Sequence, residues 1–434
     1  MSNPSNTQSW DLTPEQELRV EFDSEVATLK LTKGTAEIFG IELGLNIEYK
    51  FQLDKLAIFT WEGCSLEIVG NVGVAYVADE TPMSVYLNLH LSLEGLRTKA
   101  EQNKTEGPRV LLVGPNDSGK TSLAKILLHY GVRQGREPLY IDLDSTEGSA
   151  VVTGSLSVTS INHLPDVSNG FGTIVNSAPS DKAGGSIPLV YYHGFESPAE
   201  NPKLYTLQID QLAKAVQRRV DLDPQAKTSG CVIDTCGLID TMGLQFLTHI
   251  IKALQATVVV VVGHERLYSE ILKTTSSIPN VTTLKLPKSG GVVNRDESFR
   301  RKVLMNHVKQ YFYGNFKYDL TPFSNVVSFN NVEIYRVGGS VLAPTSALPV
   351  GTDRVVSETR IDKVDHKPSL LHSVLAVSSA QSNSETDLLT SNILGFIYVS
   401  EINEHRKTMT ILAPNTGPLP SKYLIMGSLK WIET

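Results

Sequence analysis

Residues 1–103 are dominated by short runs in which apolar and polar side chains alternate. This period of two is typical of strands that bury one face. The runs are ELRVEF, ATLKLTKG, TAEIFG, EYKFQL, KLAIFTWEG, SLEIVG and VGVAYV. Strands this short and this closely spaced predict a small β-sandwich or β-barrel. The apolar positions of residues 82–100 follow helical spacing instead, so we expect a helix that leads into the next part of the chain.

Residues 104–315 change to an alternation of strand-like and helix-like patterns. The predicted strands are almost continuously apolar and read RVLLVG, PLYIDLD, GCVIDT, ATVVVVVG and VTTLKL. Such strands are expected where helices cover both faces of a sheet. The predicted helices include SLAKILLHYGVRQ, YTLQIDQLAKAVQRRVD and MGLQFLTHIIKALQ. Together these patterns predict an α/β domain built on a parallel sheet.

Residues 316–434 return to strand patterns. A polar, Ser-rich stretch at residues 378–387 interrupts them and predicts an exposed loop. The fold class is therefore α/β, with a central parallel-sheet domain flanked by two smaller β-rich domains. We predict an N-terminal β-sandwich-like domain (1–103), a central domain (104–315) and a C-terminal β-rich domain (316–434).

Composition and charge exclude several classes of protein. The 434 residues include 39 Lys and Arg against 46 Asp and Glu, a net charge of −7, so no overall basic field favours duplex nucleic acid. Three cysteines, Cys64, Cys231 and Cys236, have neither zinc-site spacing nor a disulfide pattern, as expected in a reducing compartment. The longest apolar run, Val258–Val262, is far shorter than the ~20 residues of a membrane span. The opening MSNPSNTQSW has no secretory pattern, so we expect an intracellular, soluble protein without membrane contact.

The strongest chemical motif is GPNDSGKT, which fits the phosphate-binding pattern G-x-x-x-x-G-K-[ST] between a predicted strand and a predicted helix. Its backbone N–H groups and the positive end of the helix would face the phosphates of a nucleotide. Gly119 allows close approach, Lys120 reaches the outer phosphates and Thr121 offers a hydroxyl to Mg²⁺. The predicted nucleotide-binding residues of this loop are Gly114, Asn116, Asp117, Ser118, Gly119, Lys120, Thr121 and Ser122.

Acidic residues end two of the predicted strands, at Asp142 and Asp144 in YIDLD and at Asp234 in CVIDT. Because the carboxyl ends of parallel strands meet beside a P-loop, either strand end could supply a metal ligand. Asp142 could equally cap the segment that follows it. The sequence DTCG also fits the D-x-x-G pattern of GTPases, although no N-K-x-D stretch follows to recognise guanine. A GTPase therefore stays an alternative.

We call residues 287–301, PKSGGVVNRDESFRR, the lid segment. Its glycines precede Arg295, Arg300 and Arg301, and such a loop can close over phosphates and present guanidinium groups to them. The same residues also fit the solvated start of a helix with charge pairs four residues apart. The local pattern leaves both interpretations open.

Taken in order, these motifs resemble a known family. GPxDxGKT, YIxLD, PLVYYHG, GCVIDTCG, VVVVVxxERLY, LPKSGGVV-x-R-x4-RR and YFYG follow a β-rich N-terminal region. This order is similar to that of the RNA 5′-hydroxyl kinase family that doubles as the ATP-binding subunit of the mRNA cleavage and polyadenylation machinery. The resemblance extends to TAEIFGIEL and AIFTWEGC near the start and to ILGFIYVSEINE and LPSKYLI near the end.

The resemblance implies ATP and Mg²⁺ as ligands and a nuclear protein. Glu17 and Lys55 would help to enclose the adenine, while Thr121 and Asp144 would hold the metal ion. In an active kinase the catalytic residues would be Lys120, Asp144, Arg295 and Arg300. The implied partner is the scaffold subunit of the cleavage factor that binds the C-terminal domain of RNA polymerase II, with RNA contacts within the complex.

Three departures concern the RNA side of the implied site. Asp144 is followed by Ser-Thr-Glu-Gly instead of a Gly-Gln turn, and Glu147 would add like-charge repulsion. A T-P-G-x-N motif is replaced by SPAEN at 197–201, and a stacking Trp is replaced by Leu238, which costs ~1–3 kcal/mol of single-strand binding. We therefore expect a structural subunit that is required for endonucleolytic cleavage and holds ATP without turnover. The alternative is an active RNA 5′-hydroxyl kinase.

Overall fold

The computed structural model describes residues 7–147, 151–167, 187–316, 319–338, 359–365 and 368–433. The chain divides into two compact units. The first comprises the described residues within Met1–Ile141, Thr159–Ser186 and Gln217–Val303. The second comprises those within Asp142–Val158, Ile187–Val216 and Leu304–Thr434.

The strands are numbered in chain order. Those of the N-terminal part are β1 (Thr7–Leu12), β2 (Glu17–Glu21), β3 (Ala27–Gly34), β4 (Glu37–Ile38), β5 (Ile41–Glu42), β6 (Glu48–Phe51), β7 (Lys55–Phe59), β8 (Cys64–Val69) and β9 (Val74–Ala78). Those of the middle of the chain are β10 (Arg109–Val113), β11 (Leu139–Leu143), β12 (Ser155–Ser160), β13 (Leu189–Tyr192), β14 (Cys231–Thr235), β15 (Val258–Val262) and β16 (Thr282–Leu286). Those of the C-terminal part are β17 (Phe323–Ser328), β18 (Glu333–Val337), β19 (Ile361–Lys363), β20 (Ser373–Ser378), β21 (Ile393–Asn403), β22 (Thr408–Ala413) and β23 (Tyr423–Lys430).

The α-helices are α1 (Met83–Asn103), α2 (Lys120–Arg133), α3 (Pro202–Leu222), α4 (Pro224–Ser229), α5 (Thr241–Ala253), α6 (Glu265–Thr275), α7 (Glu297–Tyr313) and α8 (Glu385–Thr390). The helix predicted for residues 82–100 is confirmed as α1, which ends where Lys104 takes the left-handed conformation. The exposed loop predicted for residues 378–387 is wrong at both ends. Ser378 is the buried last residue of β20, and α8 begins at Glu385. Ser384 accepts a hydrogen bond from the backbone N–H of Asp387 and starts this helix.

In the first unit, the N-terminal strands form two sheets with the orders β1-β8-β3-β6 and β5-β4-β7-β2-β9. Alternate residues of both sheets enter one core, with Leu29 and Leu31 from β3 and Leu18 and Val20 from β2. The opposite face of β2 carries polar side chains, as the alternation in the sequence requires. The predicted β-sandwich is confirmed.

The first unit also contains the predicted parallel strands, in the order β16-β15-β10-β14-β11. Pairing is parallel between β10 and β14, β10 and β15, and β15 and β16. Every residue of β10, β14 and β15 is buried, as their almost continuously apolar sequences predict. β16 differs because it lies at the end of this order, and its Thr282 and Lys285 are exposed.

The second unit is rich in antiparallel strands, which confirms the predicted C-terminal β character. Its strands follow the order β13-β21-β20-β23-β18-β19, and β22 pairs with β21 and β17. A core of mostly aliphatic side chains joins β18, β20, β21, β22 and β23. Within the residues that the structure describes, no helix is long and apolar enough to cross a membrane.

Candidate functional site

The predicted phosphate loop lies in the first unit, between the end of β10 at Val113 and the start of α2 at Lys120. Gly119 immediately precedes the helix with φ +90°, a conformation that favours glycine. A Cβ atom on Gly114 would lie 2.8 Å from Oγ of Ser118 and 2.9 Å from the carbonyl oxygen of Val262. Both glycines of the motif are therefore required by the local backbone, and the loop turns directly into the N-terminus of α2.

The loop surrounds two polar groups that suit an anion. Lys120 is only 6% exposed, and its Nζ donates a 2.9 Å hydrogen bond to the carbonyl oxygen of Pro115. Among the described residues no carboxylate pairs with this ammonium group. The Oγ of Ser118 is buried and also has no hydrogen-bond partner in the described part of the chain. Because buried charges and hydroxyls require compensation, this arrangement fits the phosphates of a nucleotide.

Thr121 is placed by α2 next to the end of β14. Its Oγ1 donates a hydrogen bond to Oδ2 of Asp234 over 2.6 Å. Asp234 is fully buried, and strand pairing sets it opposite Leu112 of β10. Of the acidic strand ends noted in the sequence, Asp234 is thus the one that the first unit brings to the P-loop. A hydroxyl beside a carboxylate is the oxygen donor set that Mg²⁺ prefers.

The packing of Gly237 gives the glycine of the DTCG motif a structural role that does not require a GTPase. A Cβ atom on this glycine would lie 1.9 Å from Oδ1 and 2.3 Å from the backbone nitrogen of Asn116. The glycine is therefore required because the loop after β14 packs against the P-loop. Leu238, the next residue, is half-buried at the same place.

Two of the three arginines in the lid segment, Arg295 and Arg300, contact the P-loop through Asp117. Nε of Arg295 lies 3.0 Å from Oδ1 of Asp117, and the guanidinium of Arg300 lies 2.5 Å from Oδ2. Burial alone would raise the pKa of Asp117. Hydrogen bonds from Arg295, and the charges of Arg295 and Arg300, instead hold that pKa below its usual value. The lid segment thus presents guanidinium groups at the P-loop, and α7 begins within it at Glu297.

The remainder of the lid segment packs on the P-loop and on the N-terminal sheet. A Cβ atom on Gly119 would lie 3.0 Å from Cγ2 of Val292. A Cβ atom on Gly291 would lie 2.7 Å from Nε of Arg19. Arg19 lies on β2, and nothing in its sequence neighbourhood signalled this contact. The lid, the P-loop and the N-terminal sheet therefore meet within the first unit.

The two residues implied for the adenine lie on the same face of the β2–β7 pair. Glu17 is buried, and its carboxylate accepts hydrogen bonds from Arg19 and, over 2.8 Å, from Oγ1 of Thr81. Lys55 pairs with Glu21 over 2.9 Å. Its Nζ also lies 4.8 Å from the ring centroid of Phe299, in the lid segment. The structure thus brings Lys55 to the lid, while the carboxylate of Glu17 is engaged by Arg19 of β2 and by Thr81, which precedes α1.

Asp144 belongs to the second unit. Its Oδ1 accepts hydrogen bonds from the backbone N–H and the hydroxyl of Thr146, at 2.9 and 2.6 Å. Asp142 accepts a 3.0 Å hydrogen bond from the backbone N–H of Asp144. Both carboxylates therefore order the turn that follows β11, as the capping interpretation anticipated for Asp142. Gly148 of this turn lies outside the described residues.

The SPAEN segment also lies in the second unit, and its acidic residue, Glu200, has a structural role. Glu200 accepts a 2.9 Å hydrogen bond from the backbone N–H of Ser197. In return, the side chain of Ser197 accepts one from the N–H of Ala199 over 3.2 Å. This capping box starts the turn Pro198–Glu200 and the helix α3 that follows it. The carboxylate of Glu200 is thus engaged in local backbone structure.

Comparison with known proteins gives matches over nearly the whole chain. Family models match at residues 114–314 ("mRNA cleavage and polyadenylation factor CLP1 P-loop"), 320–433 ("Pre-mRNA cleavage complex II protein Clp1") and 11–100 ("N-terminal beta-sandwich domain of polyadenylation factor"). The chain is 40% identical to a "Protein CLP1 homolog" of Nematostella vectensis, over 98% of this chain and 97% of that protein. It is 38% identical to the "Polyribonucleotide 5'-hydroxyl-kinase Clp1" of Mus musculus, over 100% of both proteins.

Two solved structures are similar to the chain. One is a wild-type Clp1p–Pcf11p complex, with 28% identity, complete coverage of both chains and a TM-score of 0.88. The other concerns an extended interface between Pcf11p and Clp1p and the basis for ATP loss in a glycine-to-arginine mutant. It matches with 29% identity, 99% and 100% coverage and a TM-score of 0.89.

Proposed function

Because this chain belongs to the CLP1 family of mRNA cleavage and polyadenylation factors, we propose that it is the ATP-binding subunit of a pre-mRNA 3′-end cleavage and polyadenylation complex. In this proposal the subunit is required for endonucleolytic cleavage and holds ATP without turning it over. Its three domains would be residues 1–103, 104–315 and 316–434. Processing of pre-mRNA places such a subunit in the nucleus.

The observation that carries the ATP proposal is the burial of the Lys120 ammonium group and of the Ser118 hydroxyl. A buried ammonium group with no carboxylate partner in the described chain, beside a buried hydroxyl with no partner there, is costly unless an anion binds. The N-terminus of α2 faces the same loop. Gly114, Asn116, Asp117, Gly119, Thr121 and Ser122 would complete the loop around the phosphates.

Thr121 is the residue through which this site would hold Mg²⁺. The family resemblance assigns to Asp144 the carboxylate that helps Thr121 to hold the metal ion. The hydrogen bond from Thr121 to Asp234 supports Asp234 as a further participant, either as a ligand or by orienting the hydroxyl. The oxygen-only donor set is consistent with a hard divalent cation.

Enclosure of the nucleotide supports retention rather than rapid exchange. Glu17 and Lys55 of the N-terminal sheet would lie beside the adenine, and Lys55 also contacts Phe299 of the lid segment. Since ATP bound to the native protein stabilises it by RT ln(1 + [L]/Kd), a ligand far above its Kd adds several kcal/mol without any chemistry. Bound ATP would then fasten the N-terminal sandwich to the P-loop part of the first unit.

The absence of turnover is proposed from the RNA-side residues. Glu147 adds a negative charge to the turn after Asp144, Glu200 is committed to a capping box, and Leu238 offers no aromatic surface. Weaker RNA binding would leave no 5′-hydroxyl positioned for attack, whatever the state of the phosphate site.

The proposed partner is the scaffold subunit of the cleavage factor that also binds the C-terminal domain of RNA polymerase II. Support comes from the structural neighbours, in which Clp1p is solved with Pcf11p. RNA contacts would be made within that complex.

A second function, an active RNA 5′-hydroxyl kinase, keeps specific support. Lys120, Asp144, Arg295 and Arg300 are all present, and both arginines contact the P-loop through Asp117. A relative of full length carries the kinase name. ATP would supply the γ-phosphoryl group, and these residues would position it and neutralise charge.

Two measurements on the purified protein separate these functions. Nucleotide released by denaturation is identified, and γ-labelled ATP is incubated with 5′-hydroxyl RNA alongside Lys120→Ala as a control for contaminating kinases. We expect ATP to be recovered and no label above the Lys120→Ala level to reach RNA. Label transfer that Lys120→Ala abolishes would establish the kinase instead, and recovered GTP would favour a GTPase.

A further inference from the structure

Asp117 places a carboxylate inside the phosphate loop. It is the only carboxylate among Gly114–Thr121, its side chain is 8% exposed, and its backbone is in the left-handed region at φ +52°. A carboxylate directed at phosphates would repel them. Its side chain instead contacts Arg295 and Arg300 of the lid segment.

The contacts form a closed arrangement. Asp117 Oδ1 accepts from Nε of Arg295 over 3.0 Å, and Oδ2 accepts from the guanidinium of Arg300 over 2.5 Å. Oδ2 also accepts from the backbone N–H of Arg295 over 3.2 Å. Nε of Arg300 donates to the carbonyl oxygen of Arg295 over 2.9 Å, which ties the two arginines together. One carboxylate therefore contacts the lid backbone at Arg295 and the guanidinium groups of Arg295 and Arg300.

Further contacts hold the lid in the same place. Val292 packs over Gly119, and Arg19 of the N-terminal sheet lies against Gly290 and Gly291. Phe299 covers Lys55. These contacts are apolar or weakly polar, whereas the pairs with Asp117 are charge-assisted and therefore the stronger directional contacts.

We infer that Asp117 is a positioning residue that latches the lid segment onto the P-loop and sets the orientation of Arg295 and Arg300. In its consequence for nucleotide release, this inference rests on the proposed function. A latched lid closes the route by which a bound nucleotide leaves, so the latch would slow release. It also keeps both guanidinium groups beside the P-loop without requiring that phosphoryl transfer occur.

The test uses Asp117→Asn in the full chain. Asn keeps the shape of the side chain and tolerates the left-handed backbone, so the substitution removes mainly the charge. Amide hydrogen exchange of peptides covering 288–296 is measured in nucleotide-free protein and with Mg·ATP. We expect about 10-fold faster exchange of these peptides in the nucleotide-free variant, which corresponds to ~1.4 kcal/mol. Exchange in β10 should not change. ATP release should also be about 10-fold faster.

Asp296→Asn is the matched control, because it removes a carboxylate next to the same arginines but leaves the latch intact. Asp296 accepts a 2.6 Å hydrogen bond from the N–H of Phe299, a capping role that Asn also fills. Arg300→Gln offers a second variant that leaves the P-loop sequence unchanged, and it should also free the lid.

Wild-type exchange rates in both Asp117→Asn and Arg300→Gln would overturn the inference, as would equal effects of Asp117→Asn and Asp296→Asn. Faster exchange in β10 as well as in the lid would indicate a general loss of P-loop structure and would also count against a latch. A failure of the proposed ATP function would be seen separately: Mg·ATP would then not slow amide exchange in the wild-type protein.

Discussion

The hydroxyl of Thr121 and the carboxylate of Asp234 are joined by a 2.6 Å hydrogen bond. The pair forms because β14 lies beside β10 in parallel register, with Asp234 opposite Leu112. The carboxylate at the end of one strand thus meets the first turn of the helix that follows its neighbour. This relationship makes Asp234 an acid of the first unit whose carboxylate contacts the P-loop hydroxyl that we propose binds the metal ion.

Asp234→Asn tests that assignment. We expect Mg·ATP affinity to fall 10- to 100-fold, as is usual when a residue that orients a metal ligand is lost. ATP binding in EDTA should change little, because Lys120 and the loop backbone remain. Titration calorimetry with and without Mg²⁺ measures both quantities.

The control for this prediction is Asp240→Asn, which changes a nearby acid that caps α5 by accepting a hydrogen bond from Gly243 over 2.8 Å. It should leave both affinities unchanged. If Asp144→Asn abolishes the effect of Mg²⁺ and Asp234→Asn does not, the metal-holding role belongs to Asp144.

Gly237→Ala should damage the nucleotide site from outside the P-loop. The added methyl group would lie 1.9 Å from Oδ1 of Asn116 and 2.3 Å from its backbone nitrogen, so the loop must move. Overpacking of this kind costs typically ~1–3 kcal/mol. We expect lower thermal stability and at least about 10-fold weaker ATP binding.

Gly95→Ala is the matched glycine control. A Cβ atom on Gly95, within α1, meets nothing within 4 Å, so the change should stabilise the helix by roughly 0.5–1 kcal/mol. ATP affinity of this control should match the wild type. An ATP affinity of Gly237→Ala equal to that of Gly95→Ala would show that the loop after β14 does not support the P-loop.

Local patterns predicted the parts of the molecule that depend on neighbouring residues in sequence. The P-loop, the apolar strands β10, β14 and β15 and the helix α1 follow from composition and spacing over a few residues. The start of α7 matches one of the two interpretations of the lid segment. The sequence did not predict how far the helix extends, because its apolar residues are spread around it and follow no single stripe. Edge strand β16 was taken as covered on both faces because edge position is not encoded in the strand itself.

In the candidate site, too, local sequence predicted some residues, whereas contacts between distant segments were not predicted. Motifs predicted the loop residues Gly114 to Ser122 and the lid residues Arg295 and Arg300. Their partners were not predicted: Arg19 against Gly291 and Phe299 over Lys55 join segments far apart in the chain, and no local pattern reports such contacts. Asp234 was visible as an acid at the end of a strand, but only the register of β14 with β10 selects it.

Acid pH should destabilise the first unit through His129. This residue is buried in α2, and its Nδ1 donates a 2.8 Å hydrogen bond to the carbonyl oxygen of Phe39. Burial lowers the pKa of His129 to about 4; the Phe39 hydrogen bond opposes this shift and the charge of Lys125 adds to it. Since the folded pKa lies below the unfolded value, only the unfolded chain takes up a proton as pH falls from about 6.5 towards 4. Stability is therefore lost over that range.

His129→Asn should remove this contribution, because Asn can donate to Phe39 but does not titrate. Between pH 7.5 and pH 5, the wild type should lose about 2 kcal/mol more unfolding free energy than the variant. Urea unfolding followed by fluorescence at both pH values measures the difference. Parallel losses in the two proteins would mean that His129 is protonated in the folded state.

Leu238→Trp should increase the affinity of the protein for single-stranded RNA. Leu238 is half-buried in the loop after β14, and the preceding Gly237 packs on Asn116, so an indole here would lie at the P-loop. Base stacking on an aromatic ring contributes ~1–3 kcal/mol, so we expect at least about 5-fold tighter binding of a 5′-hydroxyl oligoribonucleotide. Fluorescence anisotropy measures the affinity, with Leu238→Ala as the control for simple loss of the leucine. Tighter binding by both variants would attribute the gain to loop opening, and unchanged binding by Leu238→Trp would mean that RNA does not approach this loop.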